Sequence, residues 1–102
     1  MQTEATKLAL QRDSFLCQWC LEKDVRQRHV FAVVLGYDSR YGGGHHVFKR
    51  SSVDEADAIV ALCCKHHYEA EIHLIRKRDL VELLSKIVGY DVHEKYREFC
   101  DW

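Results

Sequence analysis

Leu62-Cys63-Cys64-Lys65-His66-His67 places a Cys-x-x-His pair at the end of the apolar run Ile59-Val60-Ala61-Leu62, with a second histidine directly behind it. Far upstream, Cys17-Gln18-Trp19-Cys20 supplies a Cys-x-x-Cys turn. Two such pairs have the spacing that lets two knuckles close a tetrahedral site, and thiolates select zinc. Four protein ligands leave no open coordination position, so Cys17, Cys20, Cys63 and His66 are expected to hold a structural Zn²⁺. The interval between Cys20 and Cys63 is longer than in a simple zinc ribbon, which an inserted hairpin would explain. Cys64 is an alternative to Cys63, but the same spacing would then take His67 as its partner. Otherwise Cys64 and Cys100 read as small buried residues.

Composition agrees with a metal-stabilised domain. The chain has 102 residues, enough for one core but at the size where an added source of stability helps. Apolar residues make up 47% and charged residues 30%, the balance of a folded globular protein. No stretch is apolar for long enough to cross a bilayer, and Met1-Gln2-Thr3-Glu4 lacks the basic and apolar blocks of a secretory signal. A cytoplasmic location is therefore expected. In that reducing compartment an odd count of five cysteines favours metal ligation over disulfides.

The formal charge of −1 is not that of a tight, nonspecific nucleic-acid binder. Basic groups are nevertheless clustered at Arg26 and Arg28, Lys49 and Arg50, and Arg76-Lys77-Arg78. A bound cation would add positive charge that the formal count misses.

Along the chain, Glu4 to about Arg12 reads as a helix capped by Thr3, with Ala5, Leu8 and Ala9 on one face. His29 to Leu35 reads as a strand ending at Gly36, and Tyr37 to Gly44 as a glycine-rich hairpin loop. A second short strand then carries His45-His46-Val47-Phe48. Ser51 to Asp57 reads as a connecting loop, and His66 to Arg76 as a helix. Leu80, Leu83, Leu84, Ile87 and Val88 form a further helical stripe ending at Gly89. Asp91 with Glu94 resembles a capping box for a last short helix, from which Tyr96 and Phe99 can pack back on the body. With no proline, repeat or low-complexity linker, residues 1–102 read as one α+β domain.

The remaining histidines point to a second site. His45 and His46 are adjacent on a strand, so their side chains face opposite ways. One can face a metal while the other faces a substrate. Three segments, Arg12-Asp13-x-x-x-x-Cys17-x-x-Cys20, Gly44-His45-His46-Val47-x-x-Arg50-Ser51 and Leu62-Cys63-x-x-His66-His67, occur in the order of HNH endonucleases. They resemble a zinc-ribbon subtype of that family over residues 12 to about 73, leaving the helical C-terminal third, about 78–100, outside the resemblance.

The resemblance implies a ββα-metal core, a hairpin and a helix gripping one divalent ion, flanked by helices and steadied by the zinc site. Carried over by position, His45 and His67 are metal ligands and His46 is the general base, all three catalytic. A neutral imidazole can accept the proton of the attacking water in phosphodiester hydrolysis. Imidazole ligands favour Mn²⁺ and similar ions over Mg²⁺. Arg50 is placed to grip a phosphate, or else to form a surface ion pair. Glu71, one turn beyond His67, can reach the same ion or be a solvated helix charge. His73 can be a further ligand, a phosphate contact or a solvent-facing residue.

One position departs from the family pattern. Where its middle asparagine would stand, the chain has Ala58. That asparagine ties the loop so that the base is oriented, and Asp57 is the neighbour that could replace it.

The expected activity is nicking of double-stranded DNA through backbone contacts, by a monomer, since nothing in the sequence marks a dimer interface. The alternative is a zinc-stabilised DNA-binding or assembly module that cleaves nothing.

Overall fold

A computed structural model describes residues 3–23 and 43–102; the strand expected over His29 to Leu35, the loop from Tyr37 to Gly42 and the basic pair Arg26 and Arg28 lie outside the described residues. Helix α1 spans Glu4–Arg12, and Thr3 caps it by accepting the Thr6 N–H through its hydroxyl. Its buried face is Thr6, Ala9, Leu10 and Asp13, while Leu8 is exposed. The expected face of Ala5, Leu8 and Ala9 is thus rotated, because two of the inward positions are polar and give no hydrophobic signal.

The chain leaves α1 through left-handed Ser14 (φ 56°). Phe15 N–H bonds back to Leu10 O at 2.9 Å and Ser14 N–H to Gln11 O at 3.1 Å, a Schellman ending. Helix α2, Gln18–Lys23, follows at once.

Strand β1, Gly43–His46, pairs antiparallel with β2, Ile59–Leu62, in the register Gly44 to Ala61, His45 to Val60 and His46 to Ile59. The strand carrying the histidines therefore begins within the glycines and ends before Val47. A Cβ at Gly44 would lie 2.9 Å from Thr6 Cγ2 and 3.1 Å from Ile59 Cγ2, so the glycine lets α1 lie directly on the sheet. All four residues of β2 are buried, which means both of its faces are covered.

Arg12 and Asp13 fasten α1 to that strand. The buried Asp13 carboxylate accepts the Ala61 N–H at 3.0 Å and a forked pair from Arg12 Nε and Nη2 at 2.7 and 2.9 Å. Arg12 also donates to Ala56 O and Ile59 O, each at 2.7 Å.

Helix α3 spans Cys64–Glu71, shorter than the expected His66 to Arg76. It too ends in a Schellman motif, with Leu74 N–H to Glu69 O at 2.8 Å and His73 N–H to Ala70 O at 3.2 Å. His73 is the left-handed residue (φ 63°), so it stands past the helix and not on it. Helix α4, Lys77–Val88, buries Leu80, Val81, Leu83 and Leu84 and stops at Gly89, whose φ of 85° suits a residue without a Cβ.

Helix α5, Val92–Lys95, is capped by Asp91 accepting the Glu94 N–H. Tyr96 and Phe99 then pack on Phe48, ring centroids 5.4 and 6.1 Å away. No helix among the described residues is long and apolar enough to cross a membrane.

Asp13→Ala is expected to cost about 3 kcal/mol, since it strands the buried Ala61 N–H and removes the carboxylate partner of Arg12. Urea unfolding of the zinc-loaded protein measures this, and a loss under about 1 kcal/mol would show that the α1 anchor is dispensable.

Candidate metal centre and adjoining cleft

Cys17 ends the turn after α1, Cys20 lies on the first turn of α2, Cys63 caps α3 and His66 lies on that helix's first turn. All four are buried and their donor atoms converge. His66 Nδ1 is 3.5 Å from Cys17 Sγ, 3.3 Å from Cys20 Sγ and 3.3 Å from Cys63 Sγ, and the Cys20 and Cys63 sulfurs are 3.8 Å apart. Zn–S bonds of about 2.3 Å and a Zn–N bond of about 2.0 Å in a tetrahedron give edges of about 3.8 Å between sulfurs and about 3.5 Å from sulfur to nitrogen. These four separations match those edges, and all four donor atoms lie within 4.8 Å of one another. It is not a disulfide, whose sulfurs would be about 2.05 Å apart, and all five cysteines are free.

The structure chooses Cys63 over Cys64, which is exposed on the outer side of α3, and places Cys100 outside the cluster. Hydrogen bonding with Cys63 draws the Cys17 thiol down against the opposing effect of burial, and the same bond together with burial pushes Cys63 up. A divalent metal is what allows every sulfur to ionise together.

A second donor group lies on the next residue of α3. His45 from β1, His67 and Glu71 bring one ligand atom each within 4.8 Å of one another. The His45 and His67 rings meet edge to face with centroids 5.3 Å apart, and Glu71 Oε1 is 3.7 Å from His67 Nδ1. Burial, and then the charges of His67, His46, His73 and Lys77, hold the His45 imidazole down to about 4. Burial lowers His67 as well, against the opposing pull of Glu71. Both rings are therefore neutral near pH 7, with lone pairs available to a metal.

These groups line a cleft of about 370 Å³. His46 and His73 also line it, as do the cations Lys49, Arg50 and Lys77. Glu71 is the carboxylate among its lining residues. The local balance is positive although the chain as a whole is formally −1.

Strand alternation sends His46 away from His45, toward α1. There His46 Nε2 lies 2.7 Å from Asp54 Oδ1, which also accepts from the Thr3 hydroxyl at 3.1 Å. Hydrogen bonds from His46 first, and from Thr3, hold the Asp54 carboxyl below its ordinary range. Asp54 was not among the residues expected from sequence, because it lies in the connecting loop at no recognisable spacing from His46. Asp57, considered there in its place, is otherwise engaged: its carboxylate accepts from the Tyr90 and Tyr96 hydroxyls and from Lys95 Nζ. Burial alone would raise its titration, but those donors outweigh it and lower it. Asp57 thus anchors the C-terminal segment, and Asp54 is the carboxylate that meets the histidine. Ala58 is fully buried and its carbonyl accepts the Val47 N–H at 3.0 Å.

Compared with protein-family profiles, characterised proteins and solved structures, the chain shows no significant match in any of the three.

Purified protein is expected to carry one zinc at the cysteine site, and cobalt in its place should give the intense visible absorption of a tetrahedral thiolate site. Cys17→Ser should abolish this and unfold the chain, while Cys64→Ser should leave metal content and stability within about 0.5 kcal/mol of wild type.

Proposed function

We propose that this protein is a metal-dependent DNA endonuclease of the HNH type, in which His46 is the general base and His45 and His67 hold a single divalent ion. The observation that carries the reading is the convergence of His45, His67 and Glu71 in a cleft walled by Lys49, Arg50 and Lys77. Neutral imidazoles, one carboxylate and a ring of cations suit a ligand that is anionic and needs a metal, as a phosphodiester does. The order β1, β2, α3, with one histidine from the first strand and one from the helix, is the arrangement a ββα-metal core requires.

In this reading Asp54 accepts the Nε2–H of His46, which leaves Nδ1 as the proton-accepting atom. As the water oxygen bonds to phosphorus, His46 takes the water proton and the bond from phosphorus to the 3′ oxygen breaks. The departing 3′ oxygen takes a proton from solvent and His46 returns its own to solvent, so the products are a 5′-phosphate and a 3′-hydroxyl. When bound, a divalent ion supplies positive charge to the phosphate and to the departing oxygen. Imidazole donors favour Mn²⁺ for this place, with Mg²⁺ a weaker partner.

Ala58 need not end catalysis. The loop that an asparagine side chain would tie is held by Val47 N–H on Ala58 O, by Arg12 on Ala56 O and by Asp54 on His46.

With Mn²⁺ present, the zinc-loaded protein is expected to convert supercoiled plasmid first to the open circle, because one site cuts one strand. His46→Ala should slow this by about 100-fold or more, and Asp54→Asn by roughly tenfold or more, with zinc content unchanged. No conversion with any ion by a folded protein would sink the nuclease reading and leave the binding or assembly module.

A further inference from the structure

Lys77, the first residue of α4, carries a charge that no carboxylate among the described residues balances. A cation in the first turn opposes the helix macrodipole, which favours negative charge there. The carboxylate nearest in sequence, Asp79, is taken by Arg76, with Arg76 Nε 3.0 Å from Asp79 Oδ2. Two other lysines are paired, Lys86 with Glu22 and Lys95 with Asp57. Among the described residues no carboxylate pairs with Lys77.

Its ammonium instead lies 5.8 Å from the centroid of the Phe48 ring, and Phe48 is fixed by Tyr96 and Phe99. A cation over an aromatic face keeps its three N–H donors while its position is restrained. Lys77 is half-buried and lines the same cleft as His45, His67 and Glu71.

We propose that Lys77 is a phosphate-binding residue of this cleft, its Nζ donating to a nonbridging oxygen of the DNA backbone beside the candidate cation site. The inference rests on the nuclease reading and names a contact that the histidine motif does not contain. The aromatic shelf positions the ammonium before substrate arrives, which lowers the entropy lost on binding. Lys77 comes from the C-terminal helical part of the chain, so that part contributes to the site as well as to the core.

The test is the salt dependence of binding to a short labelled DNA duplex, without Mn²⁺ or Mg²⁺, for the zinc-loaded wild type, Lys77→Gln, Lys77→Arg and the ion-paired control Lys86→Gln. Lys77→Gln is expected to weaken binding roughly fivefold at low salt and to reduce the log–log salt slope by about 0.9, the signature of one lost phosphate contact. Lys77→Arg should keep the slope, and Lys86→Gln should match wild type.

An unchanged slope in Lys77→Gln, whether or not affinity falls, overturns the assignment, as does lost affinity accompanied by a lower melting temperature that Lys77→Arg does not restore. Plasmid cleavage by wild type, measured alongside, separates these results from failure of the nuclease reading. A wild type that binds no duplex at any salt overturns both.

Discussion

Four donor atoms drawn from two distant parts of the chain lie within 4.8 Å of one another, and the elements that carry the adjoining cleft are built around that meeting. The cluster joins the end of α1 and start of α2 to the end of β2 and start of α3. A structural zinc contributes roughly 10–16 kcal/mol in small metal-folded peptides, comparable with the whole stability of an ordinary domain at about 5–15 kcal/mol. A core this small could not hold the two segments in register with equal certainty. The Arg12 and Asp13 anchor adds direction by fixing α1 against β2 through backbone groups that would otherwise be buried without partners.

The same geometry couples the two clusters. His66 and His67 are neighbours on α3, so their side chains leave the helix about 100° apart. One enters the cysteine site and the other faces His45 on β1. With a metal bound there, a helix clamped at its first turn would offer its next residue little freedom. Placing a reactive group on a rigid element supported from behind is the condition under which ligand geometry holds to a fraction of an ångström. The cost is local: His73 occupies a left-handed backbone conformation at the cleft, where non-glycine strain of about 1–3 kcal/mol tends to collect near functional sites.

Charge follows a similar division. The chain is close to neutral overall, yet Lys49, Arg50 and Lys77 share one cleft with a single carboxylate, while other acidic side chains are tied up elsewhere, Asp13 with Arg12, Asp57 with Lys95, Asp79 with Arg76. Overall charge is a poor guide to an anion site because electrostatic focusing depends on how charges are distributed around a concavity.

The sequence by itself marked Cys17, Cys20 and a Cys-x-x-His pair starting at Cys63 or Cys64 as candidate metal ligands, since metal-ligand spacing is local chemistry that survives without knowledge of the fold. It also determined α1 with its Thr3 cap and α4 with its stop at Gly89. It did not reveal that Ile59–Leu62 is the partner of the histidine strand, because four consecutive apolar residues have no period that separates a strand from a helix. Nor could it place the end of α3, where backbone bonds to Glu69 and Ala70 stop a helix that side-chain pattern would continue. Only the tertiary structure chose Cys63 over Cys64, set Asp54 against His46, gave Asp57 to the tyrosines and turned Lys77 into the cleft. Each of these choices depends on which side chains a folded chain brings within a few ångströms of one another, and no spacing along the sequence encodes that.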